Sequence, residues 1–167
     1  MRFLSQTDSF SCGAIAIINL LKWCSIRVSK KHIPFYNNML GAEPLFGTTK
    51  RSINRLLKHT LDNRIAKVKL INNVSFKQLK KAMKEGACAI VHWTFLTKGI
   101  SEGHYVFIGT RTNNGTWIIA NEERGELFFD DKYIQKQIRT SKRLSSRAAT
   151  WGKTSPFCWL IIPKEKV

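Results

Sequence analysis

The chain has 167 residues, 43% hydrophobic and 23% charged, enough for one sizeable core and too few for two ordinary domains, so 1–167 reads as a single folding unit. Its 28 Lys and Arg against 11 Asp and Glu give a net charge of +17, which points to an acidic partner or to a solvated basic surface. No stretch reaches the ~18 uninterrupted apolar residues that a membrane span needs. The four cysteines, Cys12, Cys24, Cys88 and Cys158, make no Cys-x-x-Cys pair and no zinc-type cluster with the histidines, so no metal or other cofactor is expected.

In chain order, the opening residues run directly into Gln6-Thr7-Asp8-Ser9-Phe10-Ser11-Cys12-Gly13, without the pattern of a secretory signal. A reducing, cytoplasmic setting is the expectation, in which Cys24, Cys88 and Cys158 serve as small buried hydrophobes. Ala14, Ile17, Ile18 and Leu21 recur at helical spacing, which predicts a first helix starting at Cys12. Pro34 opens a short second helix. Thr48 or Thr49 caps a third, with Ile53, Leu56, Leu57 and Leu61 on one side and basic residues on the other.

Ala66, Val68 and Leu70 alternate with Lys67 and Lys69, as in a half-exposed strand. Ser75 and Gln78 form a capping box for a helix that buries Phe76, Leu79 and Met83 and stops at Gly86. Strands follow over 88–95 and 105–110, and Asn113-Asn114-Gly115 turns the chain into a third over 116–120. A short helix over 133–138, a basic loop over 139–154 and a last apolar strand over 157–162 complete the chain. The pattern is α+β, an N-terminal helical part packed on a C-terminal antiparallel sheet.

The chemistry concentrates at two places. A cysteine at a helix N-terminus meets the positive end of the helix dipole, which lowers its pKa and makes Cys12 the candidate nucleophile. Gln6, six residues upstream, can fold back so that its amide joins the Cys12 N–H in an oxyanion hole. Four histidines compete for the role of base. His32 and His59 read as surface residues and His92 as a core histidine, while His104, between Gly103 and an apolar strand, stands at the mouth of the sheet. Asn121, at the end of the neighbouring strand, is the candidate to orient His104; Glu122 and Glu123 are the alternatives.

Gln6, Cys12, His104 and Asn121 occur in the order found in papain-like cysteine peptidases. Gln6 before Cys12-Gly13, and later Gly103-His104-Tyr105-Val106 followed by Asn121, resemble the bacteriocin-processing, double-glycine leader peptidases over roughly residues 4–125. The resemblance implies a papain-like fold and a cysteine endopeptidase acting on a peptide or protein substrate. Two features depart from that family. Asn121-Glu122 stands where Asp-Pro is common, and the chain carries neither exporter spans nor an ATPase motif, since Gly47-Thr48-Thr49-Lys50 lacks the Walker spacing.

The alternatives are an acyltransferase or amidase using the same thiol, or a basic nucleic-acid- or partner-binding module on a papain-like scaffold. Lys136, Arg139, Lys142, Arg143 and Arg147, with no intervening acid, form the surface expected to recruit a nucleic acid or another acidic partner. Small size, basicity and the lack of an exporter point to a phage, viral or mobile-element product, acting in a host cytoplasm or carried with a virion.

Overall fold

Every residue from Cys12 to Leu21 in the first helix, α1 (Cys12–Trp23), is buried. A helix that is apolar on all sides has to be enclosed by other elements. The enclosure is seen in a computed structural model that describes residues 3–8, 10–43, 47–61, 66–98, 100–120, 128–145 and 156–164. After α1 come a 3-10 turn (Lys30–His32), α2 (Ile33–Leu40), α3 (Lys50–Thr60), β1 (Ala66–Ile71), α4 (Phe76–Lys84), β2 (Cys88–Thr97) and β3 (Ile100–Arg111). β4 (Trp117–Ala120), β5 (Phe128–Phe129), α5 (Asp131–Ser145) and β6 (Phe157–Pro163) complete the order.

The strands form one antiparallel sheet in the order β1-β6-β2-β3-β4-β5. Alternation along each strand divides its side chains between two cores. Cys88, Ile90, Tyr105, Phe107, Phe157, Trp159 and Ile161 face α1, α2 and α3. Ala89, Val91, Trp93, Val106, Ile108, Cys158 and Leu160 face the other way, against Leu79 and Met83 of α4 and Ile134 and Ile138 of α5. The α+β arrangement of N-terminal helices on an antiparallel sheet is therefore present, and α4 and α5 add a second helical layer on the far face.

Local signals set most element starts. Thr49 accepts the Ser52 N–H at the start of α3, and Ser75 and Gln78 exchange both capping-box hydrogen bonds at the start of α4. The 139–154 segment departs from the expected loop at its start, while 146–154 lie outside the described residues. Residues 139–145 continue α5, which is one helix from Asp131 to Ser145, capped by the Asp130 carboxylate on the Tyr133 N–H at 2.8 Å. Its buried stripe passes through Ser141, whose hydroxyl accepts the Thr94 N–H of β2 at 2.8 Å. A serine supplies no apolar signal, so the helical period is lost there in the sequence although the face stays buried.

Asn19 interrupts the apolar run of α1 for a reason of the same kind. Its Oδ1 accepts the Leu4 N–H at 2.8 Å and its Nδ2 donates to the Leu4 carbonyl at 2.9 Å, as a neighbouring strand would. This side chain is fully buried and fastens the N-terminal segment, with Gln6, alongside α1. Asn19→Leu is expected to leave both Leu4 groups without partners and to cost about 1–3 kcal/mol of stability. Urea unfolding of the two proteins measures it, and an unchanged midpoint would remove Asn19 from this role.

Candidate active site

The segment before α1 is organised by the Asp8 carboxylate. Its Oδ1 accepts the N–H groups of Phe10 (2.9 Å) and Ser11 (2.7 Å), and its Oδ2 accepts the Ser11 hydroxyl at 2.6 Å. Partial burial works to raise the Asp8 pKa, but these hydrogen bonds and one from Gln6 outweigh it and hold the carboxyl below its ordinary value. Ser11 in turn accepts Nδ2 of Asn37, on α2, at 2.8 Å. Gln6 also directs its Nε2 to the main-chain oxygen of Asp8. The residue before Cys12 is thus tied both to its own loop and to a second helix.

Cys12 is the first residue of α1 and is buried. Gly13 follows because the loop before α3 presses on it. A Cβ at Gly13 would lie 2.7 Å from Oγ1 and 2.8 Å from Cβ of Thr48. On its other side the thiol meets β3, where the main-chain N–H of Tyr105, the amide directly after His104, donates to the Cys12 sulfur. The main-chain N–H groups of Cys12 and Gly13, at the start of the helix, also favour its charged form.

Those amides lower the thiol pKa, as the helix start implies, yet the net direction is upward. Burial is the largest influence and raises it, and the negative charge of Asp8 adds to the rise. This corrects the expectation of a lowered pKa: the resting group is a thiol, surrounded by donors that stabilise the thiolate when it forms. The other cysteines have less support. Burial raises Cys24 and Cys88, with the charge of Cys24 adding to the rise of Cys88, and it pushes Cys158 up to about 12.

His104 is buried on β3 across from Trp93, on the strand face of Trp93 and Val106 and not on the face of Tyr105 that packs toward α1, and Phe95 meets its ring edge-on with centroids 5.9 Å apart. Gly103 precedes it for a steric reason, since a Cβ there would lie 2.4 Å from Nε2 of His92. His92 is the core histidine the sequence suggests, stacked on Phe157 at 4.6 Å and edge-on to Tyr105 at 4.8 Å. Its pKa falls to about 3, through burial first and then through the charges of His104 and Lys50. His59 and His32 are exposed, the latter closing a capping box with Ser29.

Asn121, with Glu122 and Glu123, lies outside the described residues. β4 ends at Ala120, paired with Phe107 on the same strand as His104. No group of three or more His, Cys, Asp or Glu suited to a metal ion occurs among the described residues. Asn19, Asn37 and Thr48 escape a sequence reading of the site. Only Asn19 leaves a trace there, as a polar residue inside an apolar run.

No family model matches the chain, and no curated protein matches it. Its fold has a counterpart in a crystal structure from Bacillus anthracis described as a C39-like peptidase, with a TM-score of 0.60 at 11% identity over 95% of this chain and 93% of that one. The chain thus has the α+β, papain-like fold of a C39-like peptidase.

Two outcomes follow from the titrating groups. Iodoacetamide labelling of Cys12 is expected to climb only above the ordinary thiol value of about 8.5, and in Asp8→Asn to climb at lower pH than in the wild type, because the Asp8 charge opposes the thiolate. Mass mapping of labelled peptides reads this, and an unmoved profile in Asp8→Asn would exclude that charge as an influence. For His92 the sign is set by a folded pKa near 3 below an unfolded one of about 6.5. Its stabilising contribution is complete above pH ~6.5 and is lost as pH falls toward 3, by about 1.4 kcal/mol per unit. His92→Phe should flatten the pH dependence of urea unfolding over that window, and an identical slope in the variant would contradict the assignment.

Proposed function

We propose that the protein is a cysteine peptidase in which Cys12 is the nucleophile, His104 the general base, Gln6 an oxyanion donor and Asn121 the group that orients His104. The observation that carries the reading is the hydrogen bond from the amide directly after His104 to the sulfur of Cys12, at the buried start of a helix in a C39-like fold. Acyl transfer through sulfur requires a base beside the thiol, so the imidazole of His104, which leaves β3 on the face of Trp93 and Val106, has to turn toward the α1 side for this step.

Because burial holds Cys12 protonated at rest, His104 removes the thiol proton as the sulfur attacks the substrate carbonyl. The C–S bond forms while the carbonyl π electrons move to oxygen, and the Cys12 N–H and the Gln6 amide stabilise that oxyanion. For Gln6 this means exchanging its contact with the Asp8 carbonyl for the substrate oxygen. Collapse breaks the C–N bond, and His104 returns its proton to the departing amine. Water, deprotonated by His104, then hydrolyses the thioester and restores the thiol.

The test is cleavage of a peptide library by the wild-type protein and its variants. Cys12→Ala and His104→Ala are expected to lose about 10³-fold or more, and Asn121→Ala less, because an orienting group transfers no proton. Collapse in Glu122→Ala or Glu123→Ala with an unaffected Asn121→Ala would move the orienting role to an acid. Cleavage that survives in Cys12→Ala would end the reading. An added amine captured in place of water would redirect it to an acyltransferase on the same thiol.

A further inference from the structure

The continuation of α5 through residues 139–145 changes what its charges do. On a helix, Lys132, Lys136, Arg139 and Arg143 follow one another at spacings of four, three and four, and all four are exposed. They make a single row about 16 Å long at ~1.5 Å per residue. Lys142 is half-buried and stands off this row, and Arg147 lies outside the described residues. α4 carries a second row, the exposed Lys77, Lys81 and Lys84, at the same spacings of four and three. Both helices pack their apolar sides on the same face of the sheet, so both rows face away from it.

The acids near these rows are mostly engaged elsewhere. Asp131 turns inward, to Lys80 of α4 at 2.8 Å and to the indole N–H of Trp117 at 2.6 Å, and so ties the two helices together. Asp130 accepts the Tyr133 N–H, and Glu85 lies 3.9 Å from Lys81 in an exposed pair of little energetic weight. From Lys132 to Lys164 the sequence contains no Asp or Glu.

We propose that the outer face of α4 and α5 is a binding surface for the phosphate backbone of a nucleic acid, on the side of the sheet away from Cys12. The partner class follows from what the face lacks as well as from its charge. Protein interfaces centre on aromatic or aliphatic anchors, and membrane-surface helices insert apolar side chains. Among the described residues, the exposed large hydrophobic ones, Phe35, Met39, Leu96, Phe128 and Ile162, all lie off these two helices. Seven exposed cations without an apolar anchor suit a partner held by charge alone. Duplex DNA, with one phosphate charge per ~1.7 Å of its axis, supplies the density to match, and neutralising the rows releases its counterions. Such contacts fix position without reading sequence.

The binding is independent of the peptidase reading and is measured in Cys12→Ala protein, so the two fail separately. A labelled 25-base-pair duplex is titrated at several salt concentrations. Lys136→Gln/Arg139→Gln/Arg143→Gln is expected to weaken binding about tenfold or more at low salt and to reduce the log–log salt slope by about 3. Lys77→Gln/Lys81→Gln/Lys84→Gln should act in the same direction. The control is Arg51→Gln/Arg55→Gln/Lys58→Gln, which removes the same charge from the exposed side of α3, on the opposite layer, and should change affinity less than about twofold. Equal losses from the α3 and α5 sets would overturn the surface in favour of undirected net charge. Salt-indifferent binding, or a preference for polyglutamate over the duplex, would overturn the nucleic-acid assignment.

Discussion

The burial of α1 on every side governs the candidate site. A helix enclosed from Cys12 to Leu21 cannot shift along its axis without disturbing the sheet beneath it and α2 and α3 beside it. Its first turn is therefore held at a fixed height against β3, and the Tyr105 amide reaches the Cys12 sulfur only because of that register. The flanking contacts serve the same end. Asp8 and Asn37 hold Ser11 and Thr48 covers Gly13, so the residues on either side of the thiol are constrained by three separate parts of the chain, while Asn19 fixes the segment upstream at Leu4.

Enclosure has an electrostatic cost at the residue it positions. Three main-chain amides favour the thiolate, yet burial and the Asp8 charge together prevail over them, so the thiol stays protonated at rest. Asp8 thus has two opposed effects: its carboxylate organises the turn that presents Cys12, and its charge disfavours the thiolate. The structural gain outweighs the electrostatic loss because Asp8 is exposed, where solvent weakens its field but leaves its short hydrogen bonds intact. A protonated resting thiol also gives the base a definite task, because the proton must leave as the C–S bond forms.

Legibility in the sequence followed the range of the interactions. The capping box of Ser75 and Gln78 and the Thr49 cap span three residues, and both helices begin where the sequence puts them. The alternation of β1 and the turn at Asn113 to Gly115 were equally local. Ser141 in α5 was not, because its burial depends on Thr94, 47 residues earlier, and Asn19 depends on Leu4, 15 residues earlier. The sheet order was also beyond reach. β6 comes last in the chain but lies between β1 and β2, and no local pattern distinguishes that interior place from an edge. For Cys12, its place at a helix start was readable, whereas the sign of its pKa shift was not, since burial belongs to the whole fold.

The two helical layers carry different loads, and the difference follows from the way the sheet divides its side chains. On the α1 side, the strands contribute Tyr105, Phe157 and Trp159, large rings of the core that encloses the first helices. On the far side, α4 and α5 each bury an apolar stripe and leave an outer row to solvent, where residues can be charged without disturbing the core. Basic residues accumulate where the packing makes no demand on them. A protein with this division can change the outer rows while leaving the packing around Cys12 to other residues, because α4 and α5 lie on one face of the sheet and α1 on the other. Selection on charge and selection on catalysis would then act on separate residues of one small fold.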